Sequence, residues 1–254
     1  MGKITVFANQ KGGVGKTTVC VNVGACLAKR GKRVLIVDLD PQGNATTGLG
    51  HDKSQLLGSL YNVLISGSDA QLFLLKTCVD GLFILPSSID LAGAEVELAF
   101  VKNREKCLKS ALIGLKDYFD NILIDCPPSL GLLTVNALVA ADSLIIPMQS
   151  EFYSLEGASQ LINTARLVSE RFNPSLSIDG VILSMYSDRS LVSRQIAQQI
   201  HEHFKDKVFK TTLPRSVRVA EAPSYGRPVT VHSPECAATK AFEALTDEIL
   251  RLYI

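Results

Sequence analysis

The sequence predicts a doubly wound α/β fold, one mostly parallel sheet with helices on both faces, as a single domain over residues 1–254. Three observations predict it. Strand-like and helix-like segments alternate from end to end, with no internal repeat, low-complexity tract or linker between them. The strand-like runs, such as Val34-Leu35-Ile36-Val37 and Ile122-Leu123-Ile124, are continuously apolar, as parallel strands covered on both faces require. A glycine-rich loop joins the first strand to the first helix, a connection suited to holding phosphate.

The first strand begins at residue 3 or 4, and its apolar run passes through Val6-Phe7-Ala8 into the loop. Glycines there let successive N–H groups turn toward one anion, and the new helix adds its positive end at the same point. Gly12, Gly13, Val14, Gly15, Lys16, Thr17 and Thr18 are the expected phosphate cradle. Lys16 suits the β- and γ-phosphates of a nucleotide, and the Thr17 hydroxyl suits Mg²⁺. The general pattern has a glycine where Gln10 stands, and Lys11 follows it. A second lysine is surplus to its own cradle unless it reaches a nucleotide held by another subunit.

The remaining elements follow in order. A helix is expected to end at Gly31, and a second strand runs into Asp38 and Asp40. Residues 41–48 are too polar and turn-rich for regular structure and read as a loop at the strand's carboxyl end, where open sheets bind ligands. A short helix is expected over 54–66, a strand over 81–86, and a helix in one or two pieces over 91–116. A strand over 121–125 ends in Asp125 and is halted by Pro127-Pro128. Helices over 130–141, 155–172 and 191–204 alternate with strands over 143–147 and 178–185, and a short strand is expected at Val208-Phe209. Residues 214–228 read as irregular, and a closing helix over 234–252 takes Ser233 as its cap.

Asp125 stands where phosphate-loop enzymes keep the acid that helps hold Mg²⁺, and it is expected to act through a bound water. Asp40, nearer the loop, is the better candidate to orient an attacking water or accept its proton. Asp38 suits either the metal's water shell or hydrogen bonding to the loop backbone.

Composition bounds the alternatives. Hydrophobic residues are 46% and charged residues 20%, a globular balance, and the net charge of +1 argues neither for nor against a nucleic-acid partner. Six cysteines form no Cys-x-x-Cys pair, so they read as reduced, buried thiols in a cytoplasmic protein. No signal peptide is expected, and no apolar run approaches the roughly 18 residues of a membrane span.

Lys11-Gly12-Gly13-Val14-Gly15-Lys16-Thr17-Thr18 resembles the deviant Walker A box. Val37-Asp38-Leu39-Asp40-Pro41-Gln42-Gly43-Asn44 resembles the box that follows it, and Ile124-Asp125-Cys126-Pro127-Pro128 resembles Walker B. Together they resemble the ParA/MinD group of ATPases. Ala8-Asn9-Gln10 and Glu221-Ala222-Pro223-Ser224-Tyr225-Gly226 are typical of its ParA/Soj chromosome- and plasmid-partitioning branch. The resemblance covers essentially the whole chain. It implies a P-loop ATPase with weak intrinsic activity, in which a homodimer sandwiches two ATP molecules and Lys11 reaches the partner's phosphates. It also implies that Met185, Pro214 and Arg215 line the adenine. Ser216 joins them, at a position where relatives often have Asn.

The segment 184–227 carries eight Lys/Arg and four Asp/Glu, a local basic excess hidden by the global balance. From charge alone it suits either a solvated face or contact with phosphate backbones without base reading. The resemblance favours non-specific double-stranded DNA, with Arg189 and Arg218 as the contacts, a nucleoid-associated location, and a ParB-like centromere-binding partner. A MinD-like positioning ATPase at a membrane is the alternative. It needs a basic amphipathic tail, and residues 241–254 carry three acids and one arginine, so no membrane is expected. A metabolic enzyme on the same scaffold, such as an amide-forming ligase, would need a substrate pocket.

Overall fold

The computed structural model describes residues 2–151 and 154–252. Its seven strands are β1 (Lys3–Phe7), β2 (Val34–Asp38), β3 (Leu75–Lys76), β4 (Leu82–Leu85), β5 (Asn121–Asp125), β6 (Ser143–Gln149) and β7 (Ser177–Ser184). They form one sheet in the order β3-β4-β2-β5-β1-β6-β7, parallel throughout except for the edge pair of β3 with β4. The two-residue edge strand has too short a pattern to be seen in the sequence.

Side-chain alternation explains the unbroken apolar runs. Ile4 and Val6, Leu35 and Val37, and Ile122 and Ile124 enter the core on one face of the sheet. Phe7, Val34, Ile36 and Leu123 enter the core on the other. The first core takes helices α3 (Leu60–Ser66), α4 (Leu91–Leu98), α5 (Cys107–Leu112), α6 (Leu132–Ala140), α7 (Ser154–Arg171) and α8 (Leu191–Phe204). The second takes α1 (Lys16–Lys29), α2 (Asn44–Gly48), α10 (Val229–His232) and α11 (Ala237–Arg251). A further short helix, α9 (Val217–Glu221), precedes α10.

Helix α11 lies against α1. Its apolar stripe, Phe242, Leu245 and Ile249, shares the core with Val19, Val23 and Leu27. Arg30, just past α1, pairs with Asp247 at 2.7 Å and donates to the Glu243 carbonyl. Asn22 of α1 accepts from the Val229 amide, and Lys29 donates to the Thr230 carbonyl.

Several expectations need correction. The stretch 41–48 is not wholly irregular, because it contains α2. Gly43, at φ +60°, turns the chain into that helix, and the Asp38 carboxylate receives the Thr46 amide in its first turn. The helix expected over 54–66 is a 3₁₀ turn at Lys53–Gln55 and then α3, which starts late because Ser59 caps it with Asn62 closing the capping box. The stretch 91–116 is α4 and α5 with 3₁₀ turns around α5. Strand β6 continues through Pro147 to Gln149. Val208 makes only a bridge to Val181. Residues 214–228 hold α9 and a 3₁₀ turn at Ala222–Tyr225. The closing helix starts three residues late, and Cys236 caps it through its sulfur, so Ser233 is not the cap.

Candidate functional site

The carboxyl ends of β1, β2, β5, β6 and β7 gather at one edge of the sheet. Asp125 is register partner to both Phe7 and Asp38, so the end of β1 and the two acids share one level. The loop after β1 rises from that level and returns as α1.

The loop's shape follows from where its carbonyls go. Ser184 donates its hydroxyl to the Val14 carbonyl at 2.7 Å, and Gln149 donates to the Gly13 carbonyl at 2.9 Å. Lys16 donates its ammonium to the Lys11 carbonyl at 3.3 Å. At the loop's start, Asn9 donates to the Pro147 carbonyl, and its own Oδ1 receives the Lys11 amide. With these carbonyls held by β6, β7 and Lys16, the amides of Gly12, Gly13, Val14, Gly15 and Lys16 have no acceptor among the described residues. Gly15, at φ +88°, caps α1 without a side chain, and the first turn of α1 contains no acid. The result is a row of free N–H donors on the positive end of a 14-residue helix.

Two further groups define the electrostatics. Lys16 is 6% exposed, and burial lowers its pKa against the opposing pull of Asp125. The Asp125 carboxyl is fully buried, and neither oxygen has a hydrogen-bond partner among the described residues. Burial first, and then the neighbouring Asp38, pushes its pKa well above the usual carboxylate range, while Thr17 and Lys16 pull it down. An orphaned buried carboxylate facing a hydroxyl and an ammonium fits a hydrated Mg²⁺ brought with a nucleotide.

Asp38 and Asp40 separate clearly. The Asp38 oxygens take the Thr46 amide and hydroxyl and the Asp40 amide, and burial raises its carboxyl to about 6. Its partners are in its own loop, not in the phosphate loop. Asp40 lies beyond the strand and is 7% exposed, with its Oδ1 receiving the Gln42 amide.

Next to the loop is a cavity of about 530 Å³, within the range for small-molecule sites. Met185, Pro214, Arg215 and Ser216 all line it, together with Gly15 and Thr18. Met185 adopts φ +51°, and its sulfur receives a hydrogen bond from Gln149 at 2.9 Å. Gln149 thus ties the phosphate loop to the cavity wall. Sequence reasoning missed Gln149, Ser184 and Thr46; for Gln149 and Ser184, the available signal was a polar residue closing an apolar strand. It also missed the wall formed by α9, where Val217, Val219 and Ala220 line the same cavity.

Lys11, at the start of the loop, pairs with Glu151 of its own chain. Arg189 is exposed in the turn before α8, and Arg218 is exposed on α9, where it pairs with Glu221. Glu221 also contacts His232 Nε2 at 3.2 Å. Among the described residues no helix is long and apolar enough to cross a membrane.

Comparison with known proteins agrees with this geometry. A family model described as an AAA domain matches residues 2–178. The sporulation initiation inhibitor protein Soj of Bacillus subtilis is 50% identical over 249 residues, 98% of each chain. The chromosome-partitioning ATPase Soj of Treponema pallidum is 46% identical over 250 residues, again 98% of each. Among solved structures, cobyrinic acid a,c-diamide synthase from Mycobacterium smegmatis with bound ADP and magnesium superposes with a TM-score of 0.88 at 37% identity, covering 100% of this chain and 96% of that one. ATP and Mg²⁺ are accordingly the cofactors of this chain. With its three boxes at one sheet edge, the chain belongs to the ParA/Soj family of partitioning ATPases.

Proposed function

We propose that the chain, a single P-loop ATPase domain over residues 1–254, is a switch gated by dimerisation. ATP favours a homodimer that binds double-stranded DNA without sequence preference, and hydrolysis releases it. In this reading the free amides of residues 12–16 and Lys16 hold the phosphates, and the Thr17 hydroxyl and Asp125, through water, hold Mg²⁺. Asp38, whose oxygens are engaged by its own loop, would reach the metal only through water. When bound, Mg²⁺ would supply neutralisation of phosphate charge. Asp40 orients the attacking water or accepts its proton, and Lys11 reaches the γ-phosphate bound by the second subunit. The base sits against Met185, Pro214, Arg215 and Ser216. Arg189 and Arg218 contact DNA phosphates at the nucleoid, and a ParB-like protein is the partner that stimulates hydrolysis.

One observation carries this reading. Helix α9 bears Arg218 on its exposed side and forms the cavity wall with Val217, Val219 and Ala220. A nucleotide in the cavity therefore touches the element that carries a DNA-facing charge.

The test is Asp40→Ala in ATP and Mg²⁺, followed by size exclusion and DNA co-sedimentation. A stable, DNA-binding dimer that does not hydrolyse ATP is expected. A monomer that never binds DNA would sink the proposal. An amide-forming activity is the second reading, raised by the structural likeness to the Mycobacterium diamide synthase. ATP turnover stimulated by a small carboxylic acid, and not by DNA, would favour it.

A further inference from the structure

We propose that Thr46 is a positioning residue for ATP hydrolysis, its hydroxyl fixing through Asp38 the segment that carries Asp40. The inference rests on the reading that Asp40 handles the attacking water.

Helix α2 has five residues, too few to be stable alone, and its cap position is Gly43, which offers no side chain. Besides the burial of Ala45 in the core, what ties it to the sheet is Asp38, on the end of β2. Asp38 Oδ2 accepts from the Thr46 amide at 2.8 Å and from the Thr46 hydroxyl at 2.7 Å. The same hydroxyl oxygen accepts from the Ser87 amide at 3.0 Å, just beyond β4. Thr46, Asp38 and Ser87 are all fully buried. One hydroxyl therefore joins two neighbouring strand ends to the start of α2.

Asp40 hangs from that joint. Its amide donates to the other Asp38 oxygen at 3.3 Å. Its carbonyl accepts from the Gly43 amide, and its own Oδ1 accepts from the Gln42 amide. The turn from Asp40 to Gly43 is thus closed at one end by Asp38 and at the other by α2, which Thr46 anchors. Valine has the shape of threonine but not the hydroxyl. In its place the buried Ser87 amide loses its acceptor and Asp38 loses a donor. The turn relaxes, and Asp40 loses its fixed position relative to the phosphate loop. Serine keeps the hydroxyl and both bonds.

The experiment compares Thr46→Val and Thr46→Ser in the full chain with ATP and Mg²⁺, with Asp40→Ala alongside. For Thr46→Val, kcat is expected to fall about 10- to 100-fold, as for other residues that orient a functional group from behind. KM and the affinity for a fluorescent ATP analogue should not change, because the amide cradle and the base cavity do not involve Thr46. Thr46→Ser should restore most of kcat. Thr46→Ala serves if the valine protein does not fold. A wild-type kcat in the hydroxyl-free variant overturns the inference. So does a serine variant as impaired as valine, or a loss of ATP affinity that matches the loss of kcat. If Asp40→Ala hydrolyses ATP normally, the assignment of Asp40 itself fails. If Asp40→Ala is inactive while Thr46→Val is normal, only the role given to Thr46 fails.

Discussion

The ammonium of Lys11 lies 2.5 Å from the Glu151 carboxylate of the same chain. In this arrangement the lysine proposed to serve a second subunit is engaged at home. The two side chains are 30% and 55% exposed, and an exposed pair of this kind contributes at most about 1 kcal/mol. The dianionic γ-phosphate of ATP is a stronger partner, so the contact is weak enough to exchange on dimerisation. Two such pairs are exchanged per dimer, so Glu151→Gln should shift the ATP-dependent monomer–dimer equilibrium toward dimer by up to about fivefold per pair, about 30-fold in all. Light scattering across a concentration series in ATP measures it. Lys11→Ala should give no stable dimer at the same concentrations. An equilibrium indifferent to both substitutions would remove Lys11 from the interface.

The acid pair at the strand ends sets a pH dependence. Asp38 is raised from 3.8 to about 6 by burial, and Asp125 is raised for the same reason and by Asp38. A carboxyl whose pKa is higher folded than unfolded favours the fold while it holds its proton. The Asp38 contribution is therefore complete below about pH 4 and disappears as pH rises through about 6. Without nucleotide or Mg²⁺, the wild-type protein should lose melting temperature between pH 5 and 7.5 relative to Asp38→Asn. Differential scanning calorimetry at several pH values gives the comparison. Parallel profiles for the two proteins would show that Asp38 does not titrate in this window.

Arg218 is held at 2.6 Å by Glu221, which also contacts His232. The local acid competes with any external phosphate for that guanidinium. Glu221→Gln should tighten DNA binding in ATP, whereas Arg218→Ala should weaken it and lower the slope of log affinity against log salt by about one. Fluorescence anisotropy with a duplex of random sequence, at several salt concentrations, separates the two effects. Binding that is independent of salt in the wild type would contradict a phosphate-backbone interface.

Much of the sheet was legible because both of its faces are covered. Continuous runs such as Leu35-Ile36-Val37 and Ile122-Leu123-Ile124 admit few other readings, and strand ends marked by Asp38 and Asp125 locate the carboxyl edge. The bend of the loop after β1 was legible from its glycines, since Gly13 and Gly15 take positive φ values. What could not be read depends on contacts across the fold. Helix α2 depends on Asp38, which bonds its first turn from another element, and α9, five residues long, is too short to show a helical period. The partner of Lys11 is 140 positions away in the chain, and no local pattern connects the two. Ser233 has the chemistry of a cap, but the turn of α10 carries the chain past it, and the sulfur of Cys236 takes the position.

The packing of α11 on α1 also bears on biosynthesis. On the ribosome, the nucleotide loop emerges well before α11, the helix that buttresses its first turn. Until residue 251 has left the exit tunnel, Val19, Val23 and Leu27 lack the cover of Phe242, Leu245 and Ile249. A nascent chain should consequently hold ATP poorly, and nucleotide capture should begin only once translation has reached the closing helix.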